Sequence, residues 1–245
     1  MLLEFPSEDD WRKLAHAYPY EKLEVSEKLF PYTAHPRGSI ERFAAVQDIF
    51  VWAVHLQNRI AQTRWSHMLF MFYFNKGIPD DEWFISPGRK GQSVEYYPHF
   101  NERDHDVKMM FDYYVDVFYY KLFSSWDNLG HLLNTQYALD IRRANFDTAV
   151  KKLEAVNHSL WLKLKGIQDS SDFDQMRKFR HMATHNEMLG HIGLMVGRPS
   201  KQELTFGTGG YTPSKRIQDN AVQSLDLFAA TIAALREEAA RVRDS

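Results

Sequence analysis

Residues 99–198 form a run of one hundred positions without a single proline. Two further long stretches, 37–78 and 214–245, also lack proline. Proline removes a backbone donor and breaks the interior of a helix, so three such runs between proline clusters indicate long helices joined by loops. Immunoglobulin-like sandwiches and β-barrels need turn residues about every 8–12 positions, so this spacing disfavours both folds.

Apolar residues at a spacing of three and four place helices along these runs. We predict a short helix from Ser7 and long helices over about 39–75, 105–138, 145–166 and 171–189, with a last helix starting at Thr212-Pro213. The predicted buried stripe of the first long helix consists of Phe43, Val46, Phe50, Ala53, Leu56 and Ile60. The sequence therefore predicts an all-α, up-and-down bundle of four to five long helices.

The segments between the helices complete the predicted organisation. Residues 1–38 hold four prolines and are predicted to be an N-terminal wrapping segment, which leaves 39–245 as a single-domain helical bundle. Residues 76–104 are an insertion, predicted as a loop or a small β-hairpin. Residues 197–212 are rich in glycine and threonine and are predicted to be a flexible connector.

Composition and charge narrow the classes of protein. The chain has no cysteine, which excludes a disulfide scaffold and thiolate zinc sites and fits a reducing compartment. The N-terminus lacks a basic signal-peptide region and the longest apolar run is too short for a bilayer, so we expect a cytoplasmic protein with no membrane partner. The net charge of −2 disfavours broad nucleic-acid binding. Residues 141–180 alone carry a net charge of +4, which is typical of a solvated helix face or of a local anion site.

One motif carries chemistry, the segment Arg180-His-Met-Ala-Thr-His185. It lies on a predicted helix late in the chain, and it resembles the Arg-x4-His signature of the HEPN superfamily, whose members are all-helical. The resemblance implies metal-independent RNA cleavage without a cofactor, with Arg180 and His185 as catalytic residues. It also implies a homodimer in which two motif helices line one cleft, and a toxin or defence role with an antitoxin or defence partner.

The chemistry of these side chains agrees with the resemblance. Cleavage of RNA by its own 2′-hydroxyl needs a proton acceptor, a proton donor and a cation for the phosphate, which histidine and arginine supply. Residues four apart share one helix face, so Arg177, His181 and His185 lie together. Asp127, on the second long helix, is predicted to orient a histidine. The predicted supporting residues are His181, Arg177, Thr184, Asn186 and Asp127.

Other readings of the same residues stay open. Glu187 stands where one HEPN subset has a tyrosine that its antitoxin modifies, which argues against that type of antitoxin. The first alternative is a catalytically inactive HEPN-like dimeric module that binds nucleotides or RNA. The second is a helical-bundle metal hydrolase that uses His181, His185, Glu187 and His191. The basic residues also suit a purely structural network with carboxylates of neighbouring helices. Asp112 and Asp116 have the spacing of a magnesium pair, but a solvated helix edge is the favoured interpretation.

Overall fold

The computed structural model describes residues 4–32, 34–36, 38–80, 100–182, 194–200, 203–208 and 211–243. This part of the chain holds seven α-helices, two short 3₁₀ turns (Tyr20–Leu23 and Glu27–Leu29) and one pair of strands. The helices are α1 (Glu8–Ala15), α2 (Ile40–Phe74), α3 (Glu102–Gln136), α4 (Phe146–Leu153), α5 (His158–Gln168), α6 (Ser171–His181) and α7 (Ser214–Arg243). The strands are β1 (Leu194–Ser200) and β2 (Glu203–Thr208).

The predicted all-α bundle is confirmed, and α2, α3 and α7 are its long helices. The ends of α2 and α3 lie within three residues of the predicted bounds. Ser39 and Asn101 explain where the two helices begin, because each side chain accepts a hydrogen bond from a backbone N–H of the first turn. The two helices pack antiparallel, with Phe70 of α2 against Phe111 and Phe118 of α3.

The helix predicted over 145–166 is instead two helices, α4 and α5. The break has a local cause and a tertiary cause, and both act through Asn157. The Asn157 side-chain oxygen accepts the backbone N–H of Leu160 at 3.1 Å and so caps α5. Its amide nitrogen donates to Glu238 Oε1 at 2.6 Å and to the hydroxyl of Tyr137 at 3.1 Å. The last two bonds tie the break to α7 and to the end of α3.

Trp126 of α3 lies at the centre of the core, where four helices meet. Its ring contacts the edges or faces of Phe146 in α4, Phe173 in α6 and Phe228 in α7, with ring centroids 4.6, 5.2 and 5.1 Å apart. The apolar stripe predicted for α7 is confirmed, since Ile217, Ala221, Leu225, Phe228, Ile232 and Leu235 are all buried. These contacts hold α4 and α6 against the same stretch of α3.

The segment before α2 packs on the bundle through aromatic residues. Tyr18, Tyr20, Leu23 and Phe30 are buried and belong to the same hydrophobic core as the long helices. The Tyr18 hydroxyl donates to Asp226 of α7 at 2.8 Å. The Tyr20 hydroxyl lies 2.5 Å from Nδ1 of His67 in α2, and burial lowers the pKa of that histidine to about 3.

The predicted stripe of α2 is wrong in its first half. Phe43, Val46 and Phe50 are 67, 43 and 53 % exposed, whereas Ala53 and Leu56 are buried as predicted. Helix α2 carries apolar residues on more than one side, so a spacing of three and four fits two faces equally well. The face that packs on the bundle runs through Ile49, Ala53 and Leu56.

Two predictions about the loops change as well. Part of the predicted connector over 197–212 is the antiparallel hairpin of β1 and β2, in which Val196 pairs with Phe206. The N-terminus of α7 is capped by the distant Asp80, whose carboxylate accepts the Ser214 N–H at 2.7 Å and the Ser214 hydroxyl at 2.8 Å.

The possible hairpin within 76–104 lies largely in 81–99, outside the described residues. None of the described helices is long and apolar enough to cross a membrane.

Candidate functional site

Helix α6 carries the first two residues of the motif. Ser170 caps the helix, and Phe173, Met176 and Phe179 anchor it in the core at a helical spacing. Lys178, Arg180 and His181 lie in its last turn, where the negative end of the helix dipole favours cations. Of these three residues, Arg180 and His181 line a groove beside α3 and α4.

That groove is a cleft of about 420 Å³ between the three helices. It gathers Arg177, Arg180 and His181 from α6 with Asp127 from α3, so four predicted site residues share one place. The other lining residues come from α3, the start of α4 and α6, and they are Phe123, Trp126, Asn145, Phe146, Asp147 and Phe173. The cleft thus has an aromatic floor and a charged rim.

Arg177 is held by a carboxylate that the sequence did not reveal. Its guanidinium donates to Asp147 Oδ1 at 2.5 Å, and the same oxygen accepts the side-chain amide of Gln168 at 2.5 Å. The Arg177 guanidinium also lies 4.9 Å from the centre of the Phe173 ring. Both members of the ion pair are about half exposed, so the pair positions Arg177 more than it stabilises the fold.

Arg180 also lines the cleft, and its guanidinium lies 5.2 Å from the centre of the Phe123 ring. The pKa of the Asp127 carboxyl is raised, because burial removes water from it and Asp147 adds a like charge. The positive charge of Arg180 is close enough to Asp127 to oppose this rise. Asp127 therefore lies beside Arg180, the first residue of the motif.

Asp127 also acts on a histidine, although that histidine is not in the motif. Burial lowers the pKa of His131, which lies one turn further along α3, and the Asp127 charge opposes that shift. The His131 ring stacks on Trp52 of α2 with centroids 4.0 Å apart and planes 4° from parallel. His131 is therefore fixed between α2 and α3.

The remaining predicted residues are Thr184, His185 and Asn186, and they lie outside the described residues, as does all of 183–193. Arg177 and His181 do line the same cleft, as their spacing of four predicts. Of the four residues in the metal-hydrolase alternative, only His181 is described. Within the described ranges, no group of three histidines or carboxylates is arranged to hold a metal ion.

Asp112 and Asp116 are not a solvated edge. Asp112 is buried and accepts both hydrogen bonds from the ammonium of Lys108, at 2.5 and 2.6 Å. Burial and the neighbouring Asp112 raise the pKa of Asp116 to about 6. Lys108 already supplies the positive charge that a cation would bring, so the pair does not fit a magnesium site.

Sequence reasoning missed Asp147 and Asn145, which bring the start of α4 to the cleft. A local signal exists, since Asn145 and Thr148 form a capping box that places Asp147 in the first turn. Nothing in the spacing shows that this turn meets α6. The close approach depends on Gly130 of α3, where a Cβ atom would lie 2.2 Å from the carbonyl carbon of Asn145.

The fold and the cleft define an all-α bundle protein with an arginine and histidine site on a late helix. The family model of the HEPN_Cthe2314-like HEPN proteins matches residues 52–239, well over half of the chain. The chain belongs to this HEPN family. The match includes every residue that lines the cleft. No curated protein and no solved structure matches the chain.

Proposed function

We propose that this protein is a metal-independent endoribonuclease whose site is the cleft between α3, α4 and α6. The observation that carries the proposal is the convergence of Arg177, Arg180 and His181 on one cleft of about 420 Å³. Membership of the HEPN family supports the same assignment, because many members cleave RNA.

The two arginines suit a phosphate group. Each guanidinium lies over an aromatic ring, which holds its plane at the cleft. Arg177 gives one donor to Asp147, and a guanidinium has five, so it retains donors for a phosphate oxygen. Asp147 therefore acts as a positioning residue that holds Arg177 at the cleft.

Histidine supplies the proton transfers in the proposed reaction. One imidazole takes the proton of the RNA 2′-hydroxyl as its oxygen attacks phosphorus. A protonated imidazole gives a proton to the departing 5′-oxygen, which leaves a 2′,3′-cyclic phosphate and a 5′-hydroxyl. His181 lines the cleft and His185 is the predicted catalytic histidine, four residues further on. No cofactor enters this reaction.

The assembly and the biological role belong to the same proposal. Two copies pair through the motif helix, so that Arg180 and His185 of both chains line one cleft. The cleavage serves a toxin or defence role in the cytoplasm, with an antitoxin or another defence protein as partner. Support for this comes from the family and from the position of the cleft at the last turn of α6.

Cleavage of mixed RNA in EDTA tests the proposal, with Arg180→Ala and His185→Ala compared with the native chain. We expect each variant to lose about 10²-fold or more of the cleavage rate, as for the removal of an acid-base or phosphate-binding group. The matched control is Lys178→Ala, which lies on the same helix but pairs with Asp174 and does not line the cleft. Its rate should stay within about twofold of the native rate.

Three results would contradict the proposal. Equal cleavage by all variants points to a contaminating nuclease. Cleavage that needs an added metal ion favours the hydrolase. RNA binding that Arg180→Ala weakens, without cleavage, favours the inactive binding module.

A further inference from the structure

The local excess of positive charge over residues 141–180 consists of nine lysine and arginine residues against five carboxylates. Four of these cations pair with a carboxylate and a fifth lines the cleft: Lys163 with Glu237, Lys165 with Asp169, Arg177 with Asp147, Lys178 with Asp174, and Arg180. Lys151 and Lys152 lie in the last turn of α4, where the helix dipole favours cations. Arg142 and Arg143 are the two cations that remain.

Arg142 and Arg143 lie in the loop between α3 and α4, and both side chains are exposed. Within the described ranges of the chain, neither arginine pairs with a carboxylate, and this includes Asp140, which is the one carboxylate of the loop. We call these two arginines the loop patch. Two adjacent positive charges without a carboxylate partner create a local potential that attracts anions.

The loop patch lies on a stretch of backbone that is held at both ends. The Asn134 side chain of α3 accepts the backbone N–H of Ile141 at 3.0 Å. At the other end, the Asn145 side-chain oxygen accepts the backbone N–H of Thr148 at 2.8 Å, and the Asn145 backbone packs against Gly130 of α3. Because the backbone is already fixed, less conformational entropy is lost when the two arginines bind an anion.

The loop patch is also close to the cleft between α3, α4 and α6. Asn145 lines that cleft, and Arg143 precedes Asn145 by two residues. Consecutive Cα atoms are about 3.8 Å apart, so the Cα atom of Arg143 lies within about 8 Å of that of Asn145, and the Cα atom of Arg142 within about 11 Å. An RNA strand has one phosphate per nucleotide, so a strand in the cleft brings neighbouring phosphates to the loop patch.

The charges that line the cleft give a reason for such an additional contact. The two arginines Arg177 and Arg180 face two carboxylates, Asp127 and Asp147, so these four charges balance. The net charge of the whole chain is −2. Affinity for a nucleic acid depends on how many of its phosphates meet a cation, so a balanced cleft needs further cations beside it. The loop patch supplies two.

We propose that Arg142 and Arg143 bind the phosphate groups that flank the scissile phosphate of an RNA strand. The inference rests on the proposed function for its ligand, and it assigns residues that the Arg-x4-His motif does not contain. The two arginines contact no reacting atom, so they are positioning residues. They raise the affinity for RNA and leave the chemical step unchanged.

The test measures how RNA affinity depends on salt for the native chain and for the double variant Arg142→Gln/Arg143→Gln. The probe is a fluorescein-labelled strand of about 12 nucleotides made of 2′-O-methyl RNA, which cannot be cleaved because its 2′-oxygen carries no proton. Each phosphate contact with a single strand contributes about 0.7 to the slope of log affinity against log salt. The double variant should therefore have a slope that is flatter by about 1.4. Between about 50 and about 200 mM salt, the native chain should lose about sevenfold more affinity than this variant.

Two further variants separate the loop patch from the net charge. Lys22→Gln/Lys28→Gln makes the same change in net charge at exposed positions of the segment before α2, which packs on α2 and α7. Its slope should equal that of the native chain. Arg142→Lys/Arg143→Lys keeps both charges and should also keep the native slope. Circular dichroism spectra check that all variants remain folded.

The outcomes distinguish this inference from the proposed function. A flatter slope for Arg142→Gln/Arg143→Gln alone supports the inference, whether or not the native chain cleaves RNA. Equal slopes for this variant and the native chain overturn it, even where Arg180→Ala abolishes cleavage. Equal flattening by Lys22→Gln/Lys28→Gln also overturns it, because net charge would then set the affinity.

Two more results would overturn the inference. A native chain that does not bind the strand does so and leaves the loop patch to an acidic protein. In cleavage assays, Arg142→Gln/Arg143→Gln should raise KM at low salt and keep kcat within about twofold of the native value. A kcat that falls as far as that of Arg180→Ala would show that the two arginines act on the chemical step.

Discussion

Gly130→Ala should destabilise this protein although Ala is a better helix former than Gly. The added Cβ atom would lie 2.2 Å from the carbonyl carbon of Asn145 and 2.5 Å from the backbone nitrogen of Phe146. Non-bonded carbon atoms prefer about 3.5–4.0 Å, so the start of α4 must move by more than about 1 Å. Overpacking of this kind costs about 3 kcal/mol, and the gain in helix propensity offsets about 1 kcal/mol. The net loss of about 2 kcal/mol corresponds to a Tm lower by roughly 4–8 °C for a chain of this size.

The control is Gly166→Ala on α5, where nothing lies within 4 Å of the added Cβ atom. Only the propensity gain remains there, so the Tm should rise by roughly 1–4 °C. Thermal unfolding of both variants and the native chain, followed by circular dichroism at 222 nm, measures the two shifts. If the Tm of Gly130→Ala equals or exceeds the Tm of the native chain, the close contact between α3 and α4 does not limit the side chain at position 130, and the prediction is wrong.

Three more measurements test other parts of the structure. Buried His67 has a folded pKa of about 3, and the unfolded chain binds its proton near pH 6.5, so stability falls as pH drops through this window. In urea unfolding, the stability lost between pH 7 and pH 5 should be about 2 kcal/mol smaller for His67→Phe than for the native chain, and equal losses in the two proteins would contradict the assignment. Asp80→Ala should cost about 2–3 kcal/mol in urea unfolding because it leaves the buried Ser214 donors without an acceptor, whereas Asp80→Asn keeps an acceptor and should cost less. Equal losses for the two variants would argue against the cap. Asp147→Asn should change stability by less than about 1 kcal/mol, since the pair with Arg177 is half exposed. It should also weaken RNA binding at low salt in fluorescence anisotropy, because Arg177 loses the carboxylate that holds it at the cleft, and equal or tighter binding would contradict that positioning role.

Much of the fold could be predicted from short-range features of the sequence. The capping box of Ser7 and the cap at Ser39 place the starts of α1 and α2 correctly. The stripe of α7 has a single apolar face, so its burial follows from the helical period alone. Arg180 and His181, the first two residues of the motif, also lie on a helix, as predicted. N-cap hydrogen bonds and the helical repeat of apolar residues both join positions three or four apart. The sequence therefore predicts them without any knowledge of long-range contacts.

The candidate site was predictable only in part, because its neighbours come from distant positions. Arg177 and His181 share the cleft as their spacing requires, and Asp127 does lie beside them. Asp147 is thirty residues from Arg177 along the chain, and only the packing of α4 on α3 brings the two side chains together. Which carboxylate meets which arginine depends on how the helices rotate and approach each other, and helical spacing does not determine that.

The sequence by itself determined an all-α chain, the extent of its long helices and the helix that carries the motif. The tertiary structure decided which sides of those helices are covered. Helix α2 has two apolar faces with equally good spacing, and the bundle covers only the one through Ile49, Ala53 and Leu56. Tertiary structure also placed Asp80 at the start of α7 and buried the Lys108–Asp112 pair of α3 in the core. The physical reason is that helix formation depends on local backbone hydrogen bonds, whereas burial and charge pairing depend on residues far apart in the chain.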